Sequence, residues 1–205
     1  IKKGRMVALT GKSGAGKSTI VDLLMGFYQP TDGVALVDGI PLLHHDIYSF
    51  RQRIGYVPQN IVLFNTSIRN NLMWSCDTAM HEGVVEACKI ANAHDFIMQL
   101  PEGYDTVVGE RGVRLSNGQQ QRICLARALV RKPELLILDE ATSNLDNESE
   151  AFIQQAITAL AHKITIVVIA HRLSTIVQAD WIYVIEEGVV TEEGTYNELM
   201  DHKGT

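Results

Sequence analysis

At 205 residues the chain is sized for one domain, or one domain with a subdomain. Its 46% hydrophobic and 20% charged content is that of a globular protein with a real core. A net charge of −6 argues against a nucleic acid as the main partner, since that role calls for a basic face. No stretch approaches the ~18 apolar residues of a membrane helix, and no signal peptide is visible. Cys76, Cys88 and Cys124 are odd in number and form no C-x-x-C pair. They read as reduced thiols of a cytosolic protein, neither a disulfide frame nor a zinc site. The chain opens on Ile1-Lys2-Lys3-Gly4 without an initiator Met and ends at Lys203-Gly204-Thr205, which reads as a piece of a longer polypeptide.

Met6 to Thr10 is a short apolar run that predicts a strand, and Thr19 to Met25 predicts the first turns of a helix that Gly26 stops. Between and into them runs Gly11-Lys12-Ser13-Gly14-Ala15-Gly16-Lys17-Ser18-Thr19, which fits G-x-x-x-x-G-K-[ST]. A strand, a glycine loop and a helix start make an anion site. Glycines let backbone N–H groups turn towards one centre, and the helix N-terminus adds partial positive charge. Lys17 is placed to reach the β- and γ-phosphates of a nucleotide, and the Ser18 hydroxyl to ligate Mg²⁺.

Val34 to Val37 predicts a strand after the turn Pro30-Thr31-Asp32-Gly33, and Asp38-Gly39 the next turn. Ile47 to Arg53 reads as a short helix, and Ile54 to Val57 as a strand broken by Pro58-Gln59-Asn60. From 62 to 131 the spacing turns helical, as in Val84, Val85, Cys88 and Ala91 and then Phe96, Ile97 and Leu100. Ser116 can cap a helix running from Gly118 to Arg131, which Pro133 ends. Strand spacing then resumes. Leu135 to Leu138, and Thr165 to Ala170, read as strands buried on both faces of a parallel sheet. Glu148 to Ala161 is helical by spacing, and Trp181 to Ile185 with Val189 to Thr191 suggests a hairpin. The expected fold is therefore α/β. A mostly parallel sheet forms a core from 1–61 and 132–205, and 62–131 is inserted as a helical subdomain.

In open α/β sheets ligands bind at the carboxyl ends of strands. Asp139 stands at such an end and would hold Mg²⁺ or its water opposite Ser18. Glu140 follows at once. Strand alternation would point it elsewhere, and it suits a general base acting on water. His171 ends the neighbouring strand, where it could sense a γ-phosphate. Gln59 offers a neutral amide near metal and water.

Together these segments resemble the ATPase domain of an ABC transporter. Leu115-Ser116-Asn117-Gly118-Gln119 resembles that family's signature, Leu-Ser-Gly-Gly-Gln. The resemblance makes Gly11 to Thr19 the Walker A loop, with Gly11, Lys12, Ser13, Gly14, Ala15, Gly16, Lys17, Ser18 and Thr19 around the phosphates. It makes Leu135 to Asp139 the Walker B strand, Glu140 the catalytic glutamate, Gln59 the Q-loop glutamine and His171 the switch histidine. Ser143-Asn144-Leu145-Asp146 matches the D-loop. Tyr56 to Gln59 with Leu63 to Leu72, Gly103 to Gly112 and His171 to Ile176 look like the exporter branch. In that branch the stretch around Glu110 lies near the membrane domain.

The resemblance implies a P-loop NTPase fold and hydrolysis of Mg-ATP in a head-to-tail dimer. Ser116, Gly118 and Gln119 of one subunit close over ATP held by the other. The dimer drives a transmembrane domain at the cytoplasmic face of the membrane, and no nucleic acid is involved. Two departures stand out. The family's adenine-stacking aromatic falls upstream of residue 1. Asn117 replaces a glycine, and Asn tolerates a left-handed backbone best after Gly, so the loop is expected to keep its shape. Two other readings compete: a soluble ABC ATPase, for which no basic face is seen, and an impaired nucleotide-binding module acting in a heterodimer.

Overall fold

The computed structural model describes residues 1–76, 81–141, 145–170 and 172–201. In chain order, β1 (Met6–Thr10) leads through the glycine loop into α1 (Lys17–Leu24). A small hairpin, β2 (Leu36–Val37) and β3 (Ile40–Pro41), precedes α2 (Ile47–Gln52) and β4 (Ile54–Val57). Four helices follow: α3 (Ile68–Met73), α4 (His81–Ile90), α5 (His94–Gln99) and α6 (Asn117–Leu129). Then come β5 (Leu135–Asp139), α7 (Asn147–Leu160), β6 (Thr165–Ile169), α8 (Leu173–Ile176), β7 (Trp181–Glu186), β8 (Val189–Gly194) and α9 (Tyr196–Asp201).

Six strands form one sheet in the order β4-β5-β6-β1-β7-β8, parallel except for β8, which returns antiparallel beside β7. Alternation sorts the central strands between two cores. Met6, Ala8, Leu136, Leu138, Ile166 and Val168 face one side and pack with α3 to α7. Val7, Leu9, Ile137, Val167 and Ile169 face the other and pack with Val21 and Met25 at α1. Burial on both faces explains the unbroken apolar runs of β1, β5 and β6. Burial of each such Ile, Leu or Val contributes about 1.5–3 kcal/mol to the stability of the fold.

The strand expected from Val34 to Val37 shrinks to Leu36–Val37 and pairs only with Ile40–Pro41, outside the main sheet. Asp38 and Gly39 both take positive φ, the geometry of a tight two-residue hairpin. Pro41 has no N–H to extend the ladder, and Val34 and Leu36 stay exposed. The helix after the glycine loop begins at Lys17, two residues earlier than the spacing suggested.

Candidate functional site

β1 lies between β6 and β7, so the loop that follows it opens at the carboxyl edge of the sheet's centre. Gly11, Gly14 and Gly16 hold φ of 142°, 80° and 102°. Gly11 also passes so close to β7 that a Cβ there would stand 2.1 Å from the Ile185 carbonyl oxygen. Only glycine meets both demands. Lys17 is buried, at 6% exposure, and its ammonium donates to the carbonyls of Gly11 at 2.7 Å and Lys12 at 2.9 Å. The loop is thus closed around its own cation. α1 starts at Gly16 without a side-chain cap, and Ser18 and Thr19 are exposed in its first turn. Its first N–H groups receive no side-chain cap bond, which is the arrangement that suits an anion at a helix start. A cavity of about 640 Å³ opens beside Lys12, Ser13, Gly14 and Ala15 and is walled on its far side by Glu186, Glu187, Val189 and Thr191.

Asp139 ends β5, and its carboxylate accepts the Tyr56 hydroxyl at 3.2 Å. Burial pushes its pKa up from the ordinary carboxylate range. Glu140 and Asp22 push the same way, while the Tyr56 hydrogen bond and the Lys17 charge oppose them. The Tyr56 phenol is pushed up to about 12, first by burial and then by the Asp139 charge. A cation beside Asp139 would relieve the repulsion it feels from Glu140 and from Asp22. Among the described residues no three acidic, His or Cys groups converge as a dedicated metal cage. That donor set fits Mg²⁺, which takes one or two protein oxygens and completes its shell with water and substrate phosphate. Asp139 and the Ser18 hydroxyl would hold it.

Glu140 departs from the simple alternation expected of it. Its φ is +49°, so the strand direction ends at Asp139 and the two carboxylates interact electrostatically. A left-handed glutamate costs about 1–2 kcal/mol and is typical of a functional position held by its surroundings. Two bonds hold it. Its N–H donates to the Ile169 carbonyl at 3.2 Å, and its carboxylate accepts the Gln59 amide at 2.6 Å. The structure therefore brings Lys17, Gln59, Asp139 and Glu140 to one edge and adds Tyr56 and Asp22, which sequence reasoning missed. His171, Ser143 and Asn144 lie outside the described residues.

Ser116 caps α6. Its hydroxyl oxygen accepts the Gln119 N–H at 3.2 Å, and the Gln119 side-chain oxygen accepts the Ser116 N–H at 3.0 Å. This capping box satisfies two of the helix's free donors and leaves the Ser116 hydroxyl proton to donate. Gly118 is buried against α7, where a Cβ would stand 2.0 Å from the Ser149 hydroxyl. The described contacts of Ser116, Gly118 and Gln119 lie within α6 and against α7, apart from the phosphate loop.

Asn117 corrects an expectation. It is the first residue of α6 and is absent from the positions with positive φ, so no left-handed tolerance is called upon. Its side chain is exposed. Asn117→Gly is accordingly expected to cost under about 1 kcal/mol of stability, and a larger fall in Tm would show that the side chain supports the start of α6.

A family model described as ABC transporter matches residues 1–143. The heterocyst differentiation ATP-binding protein HepA of a Nostoc species is 50% identical over 204 residues, covering 100% of this chain and 34% of its own length. A Staphylococcus aureus ATP-binding/permease protein, provisionally named for multidrug export, is 51% identical over 204 residues and is covered over 35% of its length. A solved bacterial Atm1-family ABC exporter with ATP bound superposes with a TM-score of 0.93 at 45% identity, over 100% of this chain and 36% of that one. The chain spans about a third of the length of these relatives, 34% and 35%. Among the described residues no helix is long and apolar enough to cross a membrane. With the phosphate loop, the paired carboxylates and the capped signature helix in place on a six-stranded sheet, the chain belongs to the ABC transporter family.

Proposed function

We propose that the chain binds and hydrolyses Mg-ATP as the motor of an exporter. The observation that carries this is the meeting of Lys17, the Asp139–Glu140 pair and Gln59 at the carboxyl edge of one parallel sheet. Lys17 and the loop N–H groups from Gly11 to Thr19 hold the phosphates. Mg²⁺ would be held by Asp139 and Ser18, with Gln59 nearby, and would supply charge neutralisation at the phosphates. Glu140 accepts a proton from the attacking water, Gln59 orients Glu140, and His171 is assigned to the γ-phosphate. Preorganised charge provides most of the acceleration.

The signature residues support a second subunit. Ser116, Gly118 and Gln119 bond within α6 and against α7. Closing over ATP is therefore a task for a facing copy or a related ATPase domain, head to tail. The helical stretch 62–131 is the subdomain that carries this surface. Relatives named for export and permease function, about three times as long, support a transmembrane partner and a place at the cytoplasmic membrane face.

The test is the rate of Mg²⁺-dependent ATP hydrolysis against protein concentration. A composite site requires a rate that rises faster than linearly until the dimer saturates. A strictly linear rate would remove the shared site, and nucleotide binding without any Mg²⁺-dependent turnover would remove hydrolysis.

A further inference from the structure

We propose that Arg172 and Glu150 are positioning residues that fix the start of α7 to the end of β6. Through them the phosphate-binding edge of one chain sets the position of the signature loop that the same chain presents to a partner. The inference rests on the reading of the chain as a dimeric ATPase.

β6 is the strand between the two halves of the site. Ile169 is in register with Asp139 of β5 on one side and with Leu9 of β1 on the other. The Glu140 N–H donates to Ile169, and the Ala170 N–H donates to Leu9 at 3.1 Å. Whatever is tied to the chain just beyond Ala170 therefore follows both the carboxylate strand and the strand that feeds the phosphate loop.

Arg172 makes that tie. One guanidinium nitrogen pairs with Glu150 in the first turns of α7, and another donates to the Leu145 carbonyl at 3.1 Å, just ahead of the α7 cap. The second Glu150 oxygen accepts the Ser174 hydroxyl at 2.9 Å. Both carboxylate oxygens are thus held from the α8 side, and the Glu150 side chain is only 14% exposed. A planar, forked donor is needed to serve Glu150 and Leu145 together, and a lysine reaches one of the two.

From α7 the contact continues to the signature. Asp146 caps α7 by accepting the Ser149 N–H and hydroxyl, both at 2.9 Å. That hydroxyl occupies the space a Cβ on Gly118 would need. Arg122, one turn along α6, donates to the Gly118 carbonyl and lies between the rings of Phe96 and Phe152, 4.7 and 4.6 Å from their centroids. Phe152 belongs to α7. A shift of the α7 start thus displaces Gly118 and Ser116, and Arg172 with Glu150 decides where that start sits.

The test compares Arg172→Met, Arg172→Lys and Glu150→Gln with wild type in the full chain. It measures kcat and KM for ATP, affinity for a non-hydrolysable ATP analogue, and Tm. Arg172→Met and Glu150→Gln should lower kcat at least about tenfold, as misplacement of a remote reacting surface does. Analogue affinity should stay near wild type; Tm should stay near wild type in Glu150→Gln but fall in Arg172→Met, which leaves the Glu150 carboxylate without its cation, and Arg172→Lys should recover part of kcat. Wild-type kcat in folded Arg172→Met overturns the proposal, and so does a kcat loss that merely tracks a fall in Tm. If wild type hydrolyses ATP and Glu140→Gln does not, these failures leave the ATPase reading standing. A wild-type chain without hydrolysis overturns both.

Discussion

Glu140→Gln is expected to lower ATP hydrolysis by about three orders of magnitude while ATP still binds, the scale of losing a positioned general base. The substitution keeps size and shape. Its amide oxygen can still accept the Gln59 bond that holds Glu140 at 2.6 Å, and the backbone bond to Ile169 is untouched. What disappears is the charge and the ability to take a proton. The Lys17 cradle and the Asp139 carboxylate remain, so nucleotide affinity stays within a few-fold. Single-turnover phosphate release, measured beside equilibrium nucleotide binding, separates the two effects. Turnover at the wild-type rate would remove Glu140 as the base. Loss of binding together with turnover would show that its charge holds the nucleotide and does not act on water.

Much of this architecture is legible in the sequence because burial writes it there. β1, β5 and β6 are covered on both faces and so appear as unbroken apolar runs, and the Ser116 cap announces α6 three residues before Gln119 answers it. The order of the strands is less legible. β1 inserts between β6 and β7, and no local spacing records that neighbours can be so distant in the chain. The same distance hides Tyr56 against Asp139 and Gln59 against Glu140, pairs separated by 83 and 81 residues. A tyrosine ending in a strand beside a Pro-Gln break is a faint signal that gains meaning only once β4 lies next to β5.

Two further features are conformational. The apolar run into Asp139-Glu140 suggests continued alternation, but the backbone turns left-handed at Glu140, and no residue type there gives warning. Gly118 reads in the sequence only as the start of a helix, yet its smallness serves the approach of Ser149 on α7, while the neighbouring Asn117 sits in an ordinary helical turn. The sequence motif names both positions without separating their reasons. One is steric against the chain itself, and the other is free to differ.

Lys17→Ala is expected to weaken ATP binding by at least about a hundredfold, since a cation bonding directly to phosphate contributes roughly 1.5–3 kcal/mol per charge-assisted bond. The structure adds a second reason. Lys17 is nearly buried and already bonds the Gly11 and Lys12 carbonyls, so it shapes the loop before any nucleotide arrives. Alanine leaves those two carbonyls without their donor and the loop centre without its positive charge, and it also withdraws the cation that opposes the upward shift of the Asp139 pKa. Lys17→Arg separates the two contributions. It keeps the charge, but its larger planar head does not fit a 2.7 Å and a 2.9 Å bond made by one compact ammonium. If charge alone matters, arginine retains most of the affinity. If the internal bonds set the loop, arginine binds nearly as poorly as alanine, and the latter is expected. Equilibrium titration with Mg-ATP decides it. Wild-type affinity in Lys17→Ala would mean that the glycine loop N–H groups and the α1 N-terminus suffice, and the assignment of Lys17 as the phosphate cation would fall.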